Sequence, residues 1–186
     1  MADKAKSGGS GNPWLTAAWI TITALILLAP LVAMRFTDEV KWTVGDFAFA
    51  GAMLVGSGIL YELAARVGNL AYQAAVVLAL AASVLIMWTT GAVGIIGSET
   101  NPGNLVFVGL VPLAIVGAII ARGRAAQMAW AMSVVAIGQI LVPVVAFASI
   151  ANPKSDVLQP EVFIAAAFLA ALWFASAWFF RKAARS

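Results

Sequence analysis

The sequence predicts an all-α fold, a polytopic bundle of six transmembrane helices with both termini in the cytoplasm. Two observations predict the helices: 63% of the 186 residues are hydrophobic and 10% are charged, and the apolar residues fall in six long runs. A soluble domain carries about 25% charged residues, and about 20 apolar residues cross the hydrocarbon core of a bilayer. A third observation, the bias of Lys and Arg between alternate loops, predicts the orientation.

Residues 1–12 are polar and rich in Gly and Ser, so we expect a flexible cytoplasmic tail. A single transmembrane domain is predicted over residues 13–182. Asn12 suits a helix N-cap and Pro13 suits the first helical turn, so they mark the start of the first span. The six predicted spans cover residues 14–34, 47–65, 70–97, 105–121, 126–150 and 162–180.

The third predicted span is longer than one crossing needs, because residues 70–97 carry no charge. Trp88 lies where an interfacial aromatic residue belongs. Two interpretations stay open for residues 89–98. They continue a tilted helix, which we favour, or they form a shallow re-entrant element.

Basic residues are concentrated in alternate loops. Eight of them lie in the two tails and in the links after the second and fourth spans: Lys4, Lys6, Arg66, Arg122, Arg124, Arg181, Lys182 and Arg185. The three others lie in the opposite loops: Arg35, Lys41 and Lys154. Cytoplasmic loops are enriched in Lys and Arg. Both termini are therefore predicted in the cytoplasm, which agrees with an even number of spans.

The chain has no Cys and no His, so it lacks the commonest ligands of zinc and haem. We predict no metal site, no catalytic residues and no enzymatic activity. The net charge of +3 is spread over short loops, and nucleic acid is not a predicted partner. No cofactor is predicted, although an apolar lipid, quinone or carotenoid between helices is compatible with the composition.

Glu62 and Arg66 stand one helical turn apart at the predicted cytoplasmic end of the second span. Glu followed by a basic residue at i,i+4 is the favourable order for an ion pair. We interpret the two as an interfacial salt bridge. The alternative, a proton or ion relay, requires a deeper carboxylate.

Stripes of small residues at i,i+4 spacing predict close helix packing in four spans. Their members are Ala48, Ala52 and Gly56; Ala75, Ala79 and Ser83; Gly117 and Ala121; and Ala167, Ala171 and Ala175. Packing within one chain is the simplest interpretation, and pairing with another subunit is the alternative.

Gln139 lies inside the fifth span, one turn before Pro143. Proline has no N–H, so the carbonyl of Gln139 loses its usual helical donor. We predict that the Gln139 side chain hydrogen-bonds to a neighbouring helix and holds a kink. The alternative is a broken helix that lines a ligand or ion path.

The most distinctive segment, GAVGIIGSETNPGN, joins the third and fourth spans. Its candidate residues are three glycines, two asparagines and a carboxylate: Gly91, Gly94, Gly97, Asn101, Asn104 and Glu99. The glycines predict a ridge that another backbone approaches closely. The Asn101–Pro102 pair predicts a turn, and Asn104 predicts the N-cap of the fourth span. The segment is either a capped turn with a solvated Glu99 or a small polar vestibule for a cation or headgroup.

A resemblance also rests on this segment. Three stretches look like a group of uncharacterised small bacterial inner-membrane proteins: AMRFTDEVKWTVGDF, GSGILYELAARVGNLAYQAAVVLALA and AVGIIGSETNPGNLVFVG. The similarity covers about residues 31–125, and the GIIGSE-x-NP-x-N run is its most specific part. The resemblance implies a helical membrane fold and the bacterial inner membrane, and it implies no activity. The Gly/Ser-rich tail and the sixth span depart from that group.

Minimal loops, small-residue stripes and the lack of a catalytic set favour a structural or accessory subunit of a membrane complex, or a bundle that associates with itself. The predicted partners are the lipid bilayer and other membrane subunits or a second copy. The alternative is a transporter or channel for a small solute or ion, against which stands the near absence of charge inside the spans. A third hypothesis is the binding of an apolar cofactor or lipid between helices.

Overall fold

The computed structural model describes residues 13–98, 100–148 and 159–186. Across these residues the chain forms seven α-helices: α1 Pro13–Phe36, α2 Val44–Val67, α3 Leu70–Ala92, α4 Asn104–Val108, α5 Leu110–Ala121, α6 Ala125–Ala148 and α7 Pro160–Ala183. Within this part of the chain six segments are long and apolar enough to cross a membrane, and α4 and α5 together form one of them. The predicted all-α fold with six apolar spans is confirmed, and it indicates a multi-pass membrane protein.

Most helix ends lie within a few residues of the predicted spans. The predicted tail, residues 1–12, and the predicted end of the fifth span at residue 150 lie outside the described residues. α2 begins at Val44, ahead of the predicted start, because Thr43 and Asp46 cap it reciprocally. The Asp46 carboxylate accepts from the Thr43 N–H at 2.7 Å, and the Asp46 N–H donates to the Thr43 hydroxyl at 3.3 Å. This is the geometry of a capping box.

The third span differs most from its prediction. α3 ends at Ala92, so the predicted helical continuation to residue 97 is wrong. Gly94 and Gly97 have φ angles of +81° and +65°, which a right-handed helix does not contain. The residues after α3 instead fold back, and Ile95 and Ile96 are buried in the hydrophobic core.

The chain divides after Val67 into two compact units, whereas the sequence predicts one domain over residues 13–182. Unit 1 contains the hairpin of α1 and α2. The Trp19 indole N–H of α1 donates to the carbonyl of Leu54 of α2 at 2.9 Å. A Cβ on Gly58 would overlap the Trp19 ring, so the glycine allows the ring to approach the backbone of α2 closely.

Unit 2 contains α3 to α7, and α7 is its central helix, packed most extensively against α6 and next against α3. The Ser176 hydroxyl of α7 donates to the carbonyl of Ala75 of α3 at 2.8 Å. One turn further, the rings of Tyr72 and Phe180 meet edge to face with centroids 5.1 Å apart. These two contacts show that α3 and α7 run antiparallel.

The buried face of α7 is not the one that the small-residue stripe predicts. Two members of the predicted stripe, Ala167 and Ala171, are exposed. The buried face carries Ala166, Leu169, Ala170, Trp173, Ala177 and Phe180. On this face alanines alternate with larger side chains. The neighbouring helices can approach α7 closely at the alanines, and the larger side chains fill the space between the helices elsewhere.

Candidate functional site

The loop between α3 and α4 is organised around one buried side chain, that of Asn104, which is 1% exposed. Its carboxamide oxygen accepts hydrogen bonds from the N–H groups of Ile95 and Ile96, at 2.9 and 2.8 Å. Its amide nitrogen donates to the carbonyl of Ser98 at 2.8 Å. Asn104 is therefore not the predicted N-cap, a position that Gly103 occupies. As the first residue of α4, Asn104 holds the preceding loop against this helix through its side-chain hydrogen bonds.

The predicted turn at Asn101–Pro102 is confirmed. The Asn101 carboxamide oxygen accepts from the N–H of Gly103 at 2.9 Å. The N–H of Asn104 donates to the carbonyl of Asn101 at 3.0 Å, which closes a four-residue turn.

The predicted ridge of three glycines is not formed. Gly91 is helical, and no atom lies within 4 Å of a Cβ built on it. Gly94 and Gly97 lie beyond the helix and have positive φ. The glycines therefore turn the chain, and they do not present one surface to another helix.

The described part of this loop supports the capped turn. A carboxamide offers two acceptor lone pairs and two donor hydrogens. Asn104 directs all four at the chain's own backbone, with the longest bond, 3.5 Å, to the carbonyl of Ile96. Glu99, the carboxylate of the alternative vestibule, lies outside the described residues.

The predicted ion pair at the end of α2 is present. Arg66 Nη2 lies 3.7 Å from Glu62 Oε2, and the side chains are 52% and 30% exposed, respectively. The Glu62 carboxylate also accepts a hydrogen bond from the Thr16 hydroxyl of α1 at 2.5 Å. Glu62 thus links the two helices of unit 1. A partly exposed pair of this kind contributes about 0–1 kcal/mol, which fits a structural role.

Gln139 lies in the core of unit 2 and is 0% exposed. Neither its amide nitrogen nor its carbonyl oxygen has a hydrogen-bond partner among the described residues. The predicted hydrogen bond to a neighbouring helix is therefore absent among the described residues. α6 continues through Pro143 to Ala148, so the helix is not broken there.

Another unpaired polar group lies in the core of unit 2. The indole nitrogen of Trp173 is buried and has no partner in the described part of the chain. Arg181 of α7 donates to the Ser133 hydroxyl of α6 at 3.2 Å, which links the two helices nearer the end of α7. The core of unit 2 thus buries unpaired polar groups of both Gln139 and Trp173, which the sequence alone did not indicate.

An apolar groove of about 420 Å³ lies between α5 and α6. Its floor is a close contact of the two helices, where a Cβ on Gly117 would lie 2.8 Å from that of Ala131. Larger side chains of both helices form its walls, among them Val116, Ile120 and Trp130. The predicted stripe of Gly117 and Ala121 marks this contact, but the groove itself has no signature in the sequence.

Five basic residues gather at the end of unit 2 where α5 turns into α6 and α7 ends. We call this set the basic end: Arg122, Arg124, Arg181, Lys182 and Arg185. Arg181 stacks over the Trp130 ring at 5.9 Å from its centroid. Arg122 and Arg124 are exposed, and neither guanidinium has an ion-pair or hydrogen-bond partner among the described residues.

The described residues contain no group of three or more carboxylates, histidines or cysteines that could hold a metal ion. Comparison of the chain with protein-family models, curated proteins and solved structures found no match.

Proposed function

We propose that the protein is a structural or accessory subunit of a membrane complex, or a bundle that associates with itself, in the bacterial inner membrane. The observation that carries this proposal is an exposed face of small residues on α2. Ala48 and Ala52 are exposed, and a Cβ built on Gly56 would meet no atom within 4 Å beyond its chain neighbours and the backbone of its own helix. Small residues at this spacing let helix backbones approach closely in a bilayer. α1 packs against another face of α2, the one with Leu54 and Gly58.

The side-chain chemistry agrees with a packing role. Asn104 and the Glu62–Arg66 pair are engaged with the chain itself. Their hydrogen bonds and charges therefore stabilise the fold, and they are not held ready for a substrate. We propose no enzymatic activity.

The test is the oligomeric state of protein solubilised in a mild detergent, measured by native mass spectrometry. We expect wild type to associate with itself or with a partner subunit, and Gly56→Leu to lose that association. Because the space beside Gly56 is open, the free energy of unfolding of the Gly56→Leu protein itself should be unchanged. Gly91→Leu, another helical glycine with open space beside it, is the matched control. A strictly monomeric, partner-free wild type would refute the proposal, and so would equal effects of the two variants.

A transporter or channel for a small solute or ion is the second candidate function. The buried, unpaired carboxamide of Gln139 favours it, because an unsatisfied buried polar group in a native protein calls for a functional or solvent partner. Flux into liposomes should then depend on this amide, and Gln139→Leu should abolish it. Absence of flux across a broad panel of ions and small solutes would exclude this candidate.

A further inference from the structure

We propose that the groove between α5 and α6 binds one acyl chain of an acidic phospholipid, whose phosphate is held by Arg122 and Arg124. The site lies wholly in unit 2 and is separate from the α2 face on which the proposed function rests. It assigns a ligand to a surface that neither the ion pair, the loop nor the buried amide uses.

The shape of the groove fits an alkyl chain. It extends from Leu113 to Ala121 along α5, a length of about 12 Å. Its floor is narrow because the helices touch at Gly117 and Ala131. Its lining is apolar apart from Gln127, which lies at the end nearest the arginines. An apolar cleft with one polar end matches a lipid that has an apolar tail and a polar head.

Charge selects the class of lipid. The only described carboxylate side chain of unit 2 is Glu161, in the first turn of α7 and so at the far end from the α5–α6 turn. Neither Arg122 nor Arg124 forms an ion pair among the described residues. A guanidinium matches the geometry of a phosphate, with two parallel N–H···O bonds. Basic sites between helices at a membrane surface are suited to anionic headgroups.

Trp130 gives the site a fixed wall. Its side chain is 71% exposed, lines the groove and lies under the Arg181 guanidinium. Arg181 also donates to the hydroxyl of Ser133. Arg181 is thus a positioning residue for the Trp130 ring. The lipid phosphate is bound by Arg122 and Arg124, the two unpaired arginines of the α5–α6 turn. An indole at such a place contacts the apolar tail and tolerates the polar interface.

A second copy of the protein is the other occupant that an apolar groove could take. Two copies joined symmetrically through this groove would bring Arg122 and Arg124 close to their own equivalents, and like charges at an interface are unfavourable. An acidic lipid neutralises the same charges. The distribution of charge therefore favours the lipid.

The experiment measures lipid retention by the full chain. Purified protein is mixed with phosphatidylglycerol or phosphatidylcholine of identical acyl chains, and bound lipids are counted by native mass spectrometry. We expect one phosphatidylglycerol to be retained at least about tenfold more strongly than phosphatidylcholine. The variant Arg122→Gln with Arg124→Gln should lose that preference. Lys182→Gln with Arg185→Gln removes the same charge from the same end and should keep it.

A second pair of variants tests the groove. Val116→Trp fills it and should reduce retention of phosphatidylglycerol, whereas Val77→Trp, on an exposed face of α3, should not. Circular dichroism and unfolding without added lipid show that each variant is folded; if Val116→Trp does not fold, Ile120→Trp replaces it. Equal retention of the two lipids by wild type, or an equal loss in the two charge variants, would overturn the proposal. It would also fail if the filled groove retains lipid normally, or if inorganic phosphate displaces the lipid at equal concentration. None of these results bears on the association test with Gly56→Leu.

Discussion

At Asn104 a single carboxamide takes over the hydrogen bonds that the backbone gives up where α3 ends. Asn104→Ala would leave two buried N–H groups, those of Ile95 and Ile96, without an acceptor. Each unsatisfied group costs about 1–3 kcal/mol, so we expect the free energy of unfolding to fall by about 2–6 kcal/mol.

The measurement is unfolding in detergent micelles, with Asn101→Ala as the control. Asn101 is half-buried and accepts one described hydrogen bond from its loop, so its loss should be about 0.5–1.5 kcal/mol. Equal losses for the two asparagines would show that Asn104 does not hold the loop.

Gly94 tests whether backbone conformation or close packing explains the glycines of the loop. Its φ of +81° strains any L-residue by about 1–2 kcal/mol, and the strain begins with the Cβ. Gly94→Ala and Gly94→Leu should therefore destabilise to a similar degree, and both more than Glu62→Gln, which weakens a pair of about 0–1 kcal/mol. Melting of the three variants decides this. A loss for Leu far above that for Ala would restore the ridge of glycines.

Gln139 has the opposite expectation. Because its side-chain amide is buried without a partner, Gln139→Met keeps the shape and removes a burial cost of about 1–3 kcal/mol. We expect stability to stay equal or to rise, which corrects the small loss that an interhelical hydrogen bond predicts. Unfolding of the purified variant measures this directly. A clear loss of stability would mean that the amide has a bound partner in the native protein.

At the scale of the helices, the contact of α5 with α6 leaves no room for one added methyl group. Gly117→Ala would place a Cβ 2.8 Å from that of Ala131, and overpacking of this kind costs about 1–3 kcal/mol. Gly91→Ala meets open space, so it should be neutral or stabilise by up to about 1 kcal/mol through helix propensity. Comparing the two unfolding curves tests the contact. Loss of stability in Gly91→Ala alone would contradict it.

Helix positions follow from the sequence, whereas helix faces do not. The apolar runs give the lengths, and local signals such as Glu62 with Arg66 are readable because both partners lie on one helix. α7, by contrast, is apolar on all sides, so its alanine stripes at adjacent registers are equivalent until its neighbours are known. The predicted register, with Ala171, is exposed, and the adjacent one, with Ala170, is buried.

The end of α3 was unpredictable for a related reason. The residues after Ala92 are apolar, and an apolar run reads as helix until a charge or proline interrupts it. What ends the helix is the positive φ of Gly94 together with the side chain of Asn104, which is distant in sequence. Unpaired Gln139 and Trp173 were missed likewise, because partners are a property of the assembled core.

At the scale of the whole molecule, no long linker separates the two units in the sequence. α2 ends at Val67 and α3 begins at Leu70. Asn69 caps α3, because its side chain accepts a hydrogen bond from the N–H of Tyr72 at 2.9 Å. Domain boundaries are usually marked by polar or flexible segments. A two-residue connection gives no such signal, so the sequence predicts one domain.

Orientation is tested on the intact protein. Eight basic residues against three predict that both termini face the cytoplasm. A reporter active only on the non-cytoplasmic side of the membrane should give no signal after Ser186 and a strong signal when inserted beside Lys41. A reversed pattern would invert the topology while leaving the number of spans intact.

The central place of α7 has a consequence for biosynthesis. The bonds that close unit 1, Thr16 to Glu62 and Trp19 to Leu54, need nothing made later. At about 5–20 residues per second, the ribosome spends on the order of 10 s on the rest of the chain, so the hairpin closes while translation continues. α3 and α6 wait for α7, which is translated after both. During synthesis, the faces of α3 and α6 that pack against α7 therefore stay uncovered from the time these two helices are made until α7 is complete.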